Sequence, residues 1–150
     1  MIKKFELDLS SKITVFGIEL FRVKALISFG NVKEGELGGY IAKEGNLSHS
    51  GNAWVSGNAR VSGNAWVSGN AWVSGDAEVS KLNDYIVFKN SWSSGRCFTY
   101  THSNKKWRVG CFYGTGEELI KKAYQDSEDS GRHYEAYVNF VKTLEALDDK

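Results

Sequence analysis

The sequence predicts a mainly β fold in which a central repeat is flanked by an N-terminal β cap and a C-terminal α+β segment. Three observations support this prediction. A six-residue period runs through five consecutive copies from Gly51 to Ser80, the chain has 16 glycines and no proline, and the period stops where a longer apolar run begins. Such repetition outweighs local propensities in deciding a fold. We expect a cap over residues 1–36, a repeat over 37–81, and a segment of three strands and two helices over 82–150.

Each copy of the repeat places one small and one branched apolar residue on the same side of a short strand. Because side chains alternate along a strand, the residue between them points outward. The glycine and asparagine before each strand suit a corner with positive φ. The inward alanines are Ala53, Ala59, Ala65, Ala71 and Ala77, and the inward valines are Val55, Val61, Val67, Val73 and Val79.

This pattern resembles the hexapeptide repeat of left-handed parallel β-helix proteins. In that family three hexapeptides form one coil, so the resemblance implies a short left-handed parallel β-helix of about two to three coils, in which residues 18 apart are stacked. Trp54 would then lie over Trp72 on one face and Arg60 over Glu78 on the second, and Trp66 would occupy the third. The opposite charges of Arg60 and Glu78 would stabilise the stack by roughly a few tenths of a kcal/mol.

Two stretches outside the clean repeat extend the resemblance. They are Leu-Gly-Gly-Tyr at 37–40 and Val-Gly-Cys-Phe-Tyr-Gly-Thr-Gly-Glu-Glu-Leu at 109–119. With the repeat, they resemble small proteins encoded in phage and prophage genomes, and some phage proteins of this size inhibit host defence. The resemblance implies a phage-encoded host-defence inhibitor, whose partner is a host protein or complex such as a component of a CRISPR-Cas system (an anti-CRISPR) or of a nucleotide-signalling system.

The composition excludes several classes of function. A net charge of +1 provides no strong field toward phosphate backbones or membranes, so non-specific nucleic-acid binding is not expected. No apolar run approaches the roughly 20 residues that cross a bilayer. Cys97 and Cys111 are too few for a disulfide scaffold and lack clustered metal-ligand spacing. We therefore expect reduced thiols in a cytoplasmic protein with no metal and no cofactor.

The N-terminal cap is expected to consist of short strands over residues 5–30. Its β-branched and aromatic residues flank a turn at Phe16 and Gly17. Residues 37–41 suggest a further irregular turn before the repeat. After the repeat, the continuous apolar run at 85–88 predicts a strand that is buried on both faces.

Residues 96–113 predict a hairpin that turns around 102–106, with two competing registers. A three-residue loop would place Cys97 opposite Cys111. A two-residue loop at Asn104 and Lys105 would instead align apolar side chains on one face, and it is favoured because it gives an amphipathic sheet. The two cysteines would then be unpaired and would face opposite ways. The aligned residues are Phe98, Tyr100, Trp107, Val109 and Cys111.

Two helices are expected to complete the C-terminal segment. Thr115 and Glu118 have the spacing of a capping box, which predicts a helix that begins there and ends near Gly131. Helical periodicity predicts a second helix after it. The apolar stripe of the first helix is Leu119, Ile120, Ala123 and Tyr124, and that of the second is Tyr134, Tyr137, Val138, Val141 and Leu144.

An enzymatic function is the runner-up interpretation. Left-handed β-helix proteins are best known as acyltransferases, and that activity would require a histidine as general base. His49 lies nearest the repeat, but its position favours a capping role, whereas His102 falls in the hairpin turn and His133 at a helix start. We expect no catalytic residue, with His49 as the base only under the alternative of a minimal acyltransferase.

The aromatic content favours an interaction protein. Three tryptophans are expected at outward positions, where a monomer normally carries polar residues, and large apolar patches mark contact sites. They would pack in a homo-oligomer, a trimer or a dimer, or beneath the C-terminal segment. The alternative is a surface of Trp54, Trp72 and Arg60 for another protein or a small nucleotide. The assembly and binding candidates are Trp54, Arg60, Trp66, Trp72 and Glu78, and the C-terminal contact candidates are Trp92, Tyr100, Trp107 and Arg108.

Overall fold

The computed structural model describes residues 3–81 and 84–148. Within these residues a series of strands is followed by two α-helices. The strands are β1 (Phe5–Val15), β2 (Ile18–Ala25), β3 (Leu37–Ile41), β4 (Trp54–Val55), β5 (Arg60–Val61), β6 (Trp72–Val73), β7 (Glu78–Val79), β8 (Tyr85–Lys89), β9 (Cys97–Thr101), β10 (Lys106–Val109) and β11 (Phe112–Thr115), and the helices are α1 (Gly116–Asp126) and α2 (Glu128–Asp148).

These strands form three sheets, and the predicted left-handed parallel β-helix is wrong as the fold class. The order β1-β2-β3-β5-β7 gives a mixed five-stranded sheet, β11-β10-β9-β8 gives a four-stranded sheet, and β4-β6 gives a separate pair. In residues 3–81 and 84–148 no parallel β-helix solenoid is seen. The repeat contributes only two-residue strands, and the long β1–β2 hairpin joins their sheet in antiparallel register through β3. The fold is therefore a group of small mixed and antiparallel sheets with two helices.

The predicted 18-residue spacing within the repeat is confirmed at two places. Arg60 pairs with Glu78, and Trp54 pairs with Trp72, each in parallel register. Upstream the spacing is 20 residues, since Tyr40 pairs with Arg60. The inward alanines and valines of all five copies are at most 2% exposed and form the first hydrophobic core. Burial of each valine stabilises the fold by roughly 1.5–3 kcal/mol relative to exposure.

The N-terminal strands lie beside the repeat in the same sheet. The predicted turn between them is confirmed, since Phe16 and Gly17 have φ of 50° and 79°. Residues 37–41 form strand β3 instead of the irregular turn that was expected. Gly38 allows this strand to approach the repeat closely, because a Cβ at Gly38 would lie 2.3 Å from the Val55 carbonyl oxygen. β3 therefore links the antiparallel and parallel halves of the sheet.

The C-terminal sheet has four described strands instead of three, and both predicted hairpin registers are wrong. Trp107 pairs with Tyr100 and Val109 with Phe98, which leaves residues 102–105 in the loop. The favoured predicted register is shifted by two residues from the observed one. Because side chains alternate between the two faces of a strand, a shift of two residues leaves each side chain on its predicted face, and the apolar face is preserved. Phe98, Tyr100 and Trp107 on this face are at most 3% exposed.

The two helices cover the apolar face of this sheet. The predicted capping box is confirmed, with Thr115 and Glu118 each binding the other's backbone N–H. α1 ends at Asp126, however, and Gly131 lies within α2, where a Cβ would meet the Tyr124 ring at 2.3 Å. The second core joins sheet and helices through Phe98, Tyr100, Trp107, Leu119, Ala123, Tyr134, Val138 and Val141. Neither described helix is both long enough and apolar enough to cross a membrane.

The opposite face of the C-terminal sheet is docked on the repeat through polar contacts. The Trp72 backbone N–H donates to Thr99 Oγ1 at 3.1 Å, and the Glu78 N–H donates to Ser103 Oγ at 2.7 Å. The Tyr113 hydroxyl donates to the Ser74 carbonyl at 3.2 Å. These bonds hold the two cores next to each other and create a cleft at one end of the junction.

Candidate ligand-binding cleft

The cleft lies where three parts of the chain meet. Its walls come from the loop at 30–32, from the repeat at 52–54 and 70–72, and from the C-terminal sheet at 95–99 and 108–111. Its volume is about 470 Å³, which falls within the roughly 300–1,000 Å³ of small-molecule sites. We call it the Trp–Arg cleft after Trp54, Trp72, Arg96 and Arg108, which line it.

Trp72 forms part of the junction between the repeat and the C-terminal sheet. The carbon of the Arg108 guanidinium lies 3.9 Å from the centre of the Trp72 ring, a cation–π contact. The indole N–H donates to Ser56 Oγ at 2.8 Å. Trp72 is therefore half-buried beneath the chain's own C-terminal segment, one of the arrangements that the sequence had left open.

Trp54 was predicted to be exposed at an outward position of the repeat, and the predicted exposure is wrong. Its side chain is only 1% exposed. Phe29 packs edge-on against it at 5.3 Å between ring centres, and the missing side chain of Gly38 makes room for it. Its indole Nε1–H is buried and has no hydrogen-bond partner in the described part of the chain. A buried donor without an acceptor costs about 1–3 kcal/mol, so this group is a candidate for ligand contact.

Two arginines make the Trp–Arg cleft electropositive. Arg108 also has a buried and unpartnered Nε–H among the described residues, and burial lowers the pKa of its guanidinium, which remains charged at neutral pH. Arg96 is exposed, and its Nη1 lies 2.3 Å from where a Cβ on Gly110 would be. Within residues 3–81 and 84–148 neither arginine forms an ion pair, and no carboxylate lines the cleft.

Both cysteines also line the Trp–Arg cleft. They are free thiols, as predicted, with Cys97 half-buried and Cys111 exposed. The prediction that they face opposite ways is wrong. Cys111 lies in the turn after β10 and not on the strand itself, so strand alternation does not fix its direction. The Asn70 Nδ2 lies 3.8 Å from Cys97 Sγ, which places repeat and sheet side chains in contact in the wall.

The remaining repeat candidates lie away from the Trp–Arg cleft. Arg60 forms an ion pair with Glu78, next to the exposed turn residue Phe16. The predicted combination of Trp54, Trp72 and Arg60 in one surface is therefore wrong. Trp66 is 54% exposed, while its carbonyl accepts a 2.6 Å hydrogen bond from a tyrosine hydroxyl of β8.

Of the four C-terminal contact candidates, Arg108 alone reaches the Trp–Arg cleft. Tyr100 and Trp107 are at most 3% exposed in the second core, so their assignment as contact residues is wrong. Trp92 is half-buried, and its ring stacks on His133 at 4.3 Å between centres. These three side chains hold α2 on the sheet.

The three histidines have structural contacts, and none lines the Trp–Arg cleft. His49 stacks on Phe5 at 4.2 Å, accepts the Lys4 backbone N–H at 3.0 Å and lies 2.9 Å from Glu44. His102 lies 2.6 Å from Glu145, an α2 carboxylate that also accepts the Tyr100 hydroxyl. In the described residues no group of three or more histidine, cysteine or acidic side chains could hold a metal ion.

Arg96, Thr99, Asn52 and Asn70 were not predicted as site residues. The asparagines were interpreted as corner residues of the repeat, which they also are. Strand alternation places Thr99 and Arg108 opposite each other on one face of the hairpin, so a correct register would have indicated this part of the site. No family model and no curated protein matches the sequence.

Proposed function

We propose that the protein is a non-catalytic binding protein that takes an anionic ligand in the Trp–Arg cleft. The observation that carries this proposal is the presence of Arg96 and Arg108 in a cleft without a lining carboxylate. Guanidinium groups bind carboxylates and phosphates through charge-assisted hydrogen bonds, which are about twice as strong as neutral ones. An anion would supply the acceptor that Arg108 Nε–H lacks among the described residues.

The alternative function, a minimal acyltransferase, has weaker support. The reaction needs a base that can reach the acceptor group. Both ring nitrogens of His49 have partners, at the Lys4 backbone and at Glu44, and the Trp–Arg cleft is lined by no histidine. Incubation with acetyl-coenzyme A and a panel of amine and hydroxyl acceptors should release no free coenzyme A. Release of coenzyme A by the wild type that is lost in the His49→Ala variant would favour the acyltransferase.

We also propose that the protein self-associates, as a trimer or a dimer, through the exposed Trp66. Of the three repeat tryptophans it is the one that is neither buried nor covered by Arg108. Light scattering should give a multimer for the wild type and a smaller mass for Trp66→Ala. A wild-type monomer, or a Trp66→Ala multimer of unchanged mass, would contradict this assembly.

The resemblance to phage proteins favours one biological setting for this binding. We propose that the protein acts in the host cytoplasm, where it sequesters a component of a defence system. Expression in a defended host should raise the plating efficiency of a sensitive phage. Arg96→Gln should remove that effect if the Trp–Arg cleft holds the sequestered component.

The binding proposal is tested with pyrophosphate as a small anionic probe. Titration calorimetry should detect its binding to the wild type, and Arg96→Gln should weaken it about tenfold, the effect of losing one charge-assisted hydrogen bond. Arg132→Gln is the matched control, because Arg132 is an exposed arginine on α2 and its loss changes the net charge equally. Equal losses in the two variants would overturn the proposal, as would a wild type that binds neither pyrophosphate nor a nucleoside monophosphate.

A further inference from the structure

We infer that the ligand of the Trp–Arg cleft is a free mononucleotide, whose base stacks on Arg108 and whose phosphate lies at Arg96. This inference rests on the proposed binding function and adds the chemical class of the ligand. It depends on a planar platform inside the cleft, on polar groups beside it, and on positive charge at its mouth.

The platform is the stacked pair of Trp72 and Arg108. A guanidinium is planar and has two faces, and the Trp72 ring covers one of them at 3.9 Å. Arg108 also lines the Trp–Arg cleft, and a flat ring bound there would stack on its other face. Guanidinium planes stack on aromatic rings as well as on nucleobases. A base in this position would extend the stack from the repeat into the cleft.

The groups beside this platform include acceptors as well as donors, whereas a simple anion offers only acceptors. Trp54 Nε1–H is a buried donor without a partner in residues 3–81 and 84–148. One wall also carries the amides of Asn52 and Asn70. An amide offers both donors and acceptors, and nucleobase edges present both as well. The polar groups therefore suit a heteroaromatic base better than a simple carboxylate.

The mouth of the cleft suits a phosphate. Arg96 is exposed there, and Lys89 approaches the adjacent Gly95, with Cε 3.6 Å from the position of a Cβ on that glycine. No acidic side chain lines the cleft to oppose these two cations. A phosphate would be bound by charge-assisted hydrogen bonds at the entrance while the base lies further in.

The size of the Trp–Arg cleft favours one nucleotide over a strand. Its volume of about 470 Å³ is bounded by three chain segments, whereas single-strand binding sites are grooves that extend over several nucleotides. The net charge of +1 also provides little overall attraction toward a polyanion. We therefore expect affinity for a free mononucleotide to exceed affinity for the same nucleotide within an oligomer.

The test is calorimetric titration of the full chain with each of the four ribonucleoside monophosphates, with the matching nucleosides, with pyrophosphate and with a single-stranded hexanucleotide. The best monophosphate should bind at least about tenfold more tightly than its nucleoside and than pyrophosphate. Pyrophosphate binding as tight as that of every monophosphate would overturn the nucleotide assignment and leave the anion-binding function intact. Binding by neither would overturn both, and tighter binding of the hexanucleotide would overturn the assignment to a free nucleotide.

A variant of the platform separates stacking from charge. Arg108→Lys keeps the positive charge but removes the planar face and the Nε–H, so it should weaken monophosphate binding about tenfold and pyrophosphate binding by less than about threefold. Thermal unfolding confirms that the variant is folded, and Arg132→Gln again serves as the control for charge. Equal weakening of the two probes by Arg108→Lys would contradict stacking.

Discussion

The carbon of the Arg108 guanidinium lies 3.9 Å from the centre of the Trp72 ring, and this contact joins the C-terminal sheet to the repeat. This contact buries part of the Arg108 side chain and covers one face of the Trp72 ring. We expect the pair to stabilise the protein cooperatively, because a partly desolvated cation–π contact contributes about 0.5–2 kcal/mol.

A double-mutant cycle with Trp72→Leu and Arg108→Met measures this coupling. The free energies of unfolding of the wild type, both single variants and the double variant are obtained by urea titration. We expect a coupling energy of about 0.5–2 kcal/mol. Strictly additive effects would show that the two side chains act independently. Trp72→Phe is the partial control: it keeps a ring under Arg108 and loses the bond to Ser56 Oγ, at a cost of about 1 kcal/mol.

Trp54 and Trp66 occupy the same position in different copies of the repeat, yet their substitutions should differ strongly. Trp54→Ala removes a side chain that is 1% exposed and should reduce the free energy of unfolding by about 3–5 kcal/mol. Trp66→Ala changes a 54% exposed side chain, and its effect on a single chain should stay within about 0.5 kcal/mol. Urea unfolding at a concentration where the protein is monomeric compares them. Similar losses in both variants would contradict the burial of Trp54.

The different environments of these tryptophans show which features the sequence can predict and which it cannot. The repeat is a local pattern, so it correctly predicted the inward alanines and valines and the parallel pairs. The outward tryptophans have different environments because their neighbours are distant in sequence. Phe29 packs on Trp54, Arg108 covers Trp72, and Trp66 is exposed. No feature of the hexapeptide distinguishes these outcomes.

The hairpin register depends on distant contacts in a similar way. Asn104, which was predicted to form a two-residue loop, accepts a bond from the Thr101 hydroxyl at 2.7 Å and donates to Asp76 of the repeat at 2.9 Å. These bonds favour the longer loop. Since Thr99 lies opposite Arg108 only in this register, this part of the site could not be assembled from sequence spacing alone.

Lys4 should make stability depend on pH in the alkaline range. Its side chain is 1% exposed, its ammonium donates to the Ala53 carbonyl at 2.6 Å, and burial lowers its pKa to about 8. Between that pKa and the value of 10.5 for an exposed lysine, the unfolded chain binds more protons than the folded one. The free energy of unfolding should therefore gain up to about 1.4 kcal/mol per pH unit from this group as the pH rises through that window.

Variants isolate the contribution of Lys4 from other groups that titrate in the same range. Urea unfolding of the wild type and of Lys4→Met is compared at pH values from 7 to 10.5, about the window of the two pKa values. The difference in unfolding free energy between them should change with pH in favour of the wild type. Lys24→Met, a change at an exposed lysine, should keep the wild-type profile. A pH-independent difference between the wild type and Lys4→Met would contradict the prediction.

The two cysteines provide a direct measure of occupancy of the Trp–Arg cleft. Cys97 and Cys111 both line it and are free thiols, so a bound anion should slow their alkylation by iodoacetamide. At a pyrophosphate concentration ten times the dissociation constant, the free protein falls to about one tenth, and the rate at the half-buried Cys97 should fall by a similar factor. Mass spectrometry of the modified peptides follows each site separately.

Arg96→Gln at the same pyrophosphate concentration should lose most of this protection, whereas Arg132→Gln should keep it. Alkylation rates that do not change with pyrophosphate, at a concentration where calorimetry shows binding, would place the anion outside the Trp–Arg cleft.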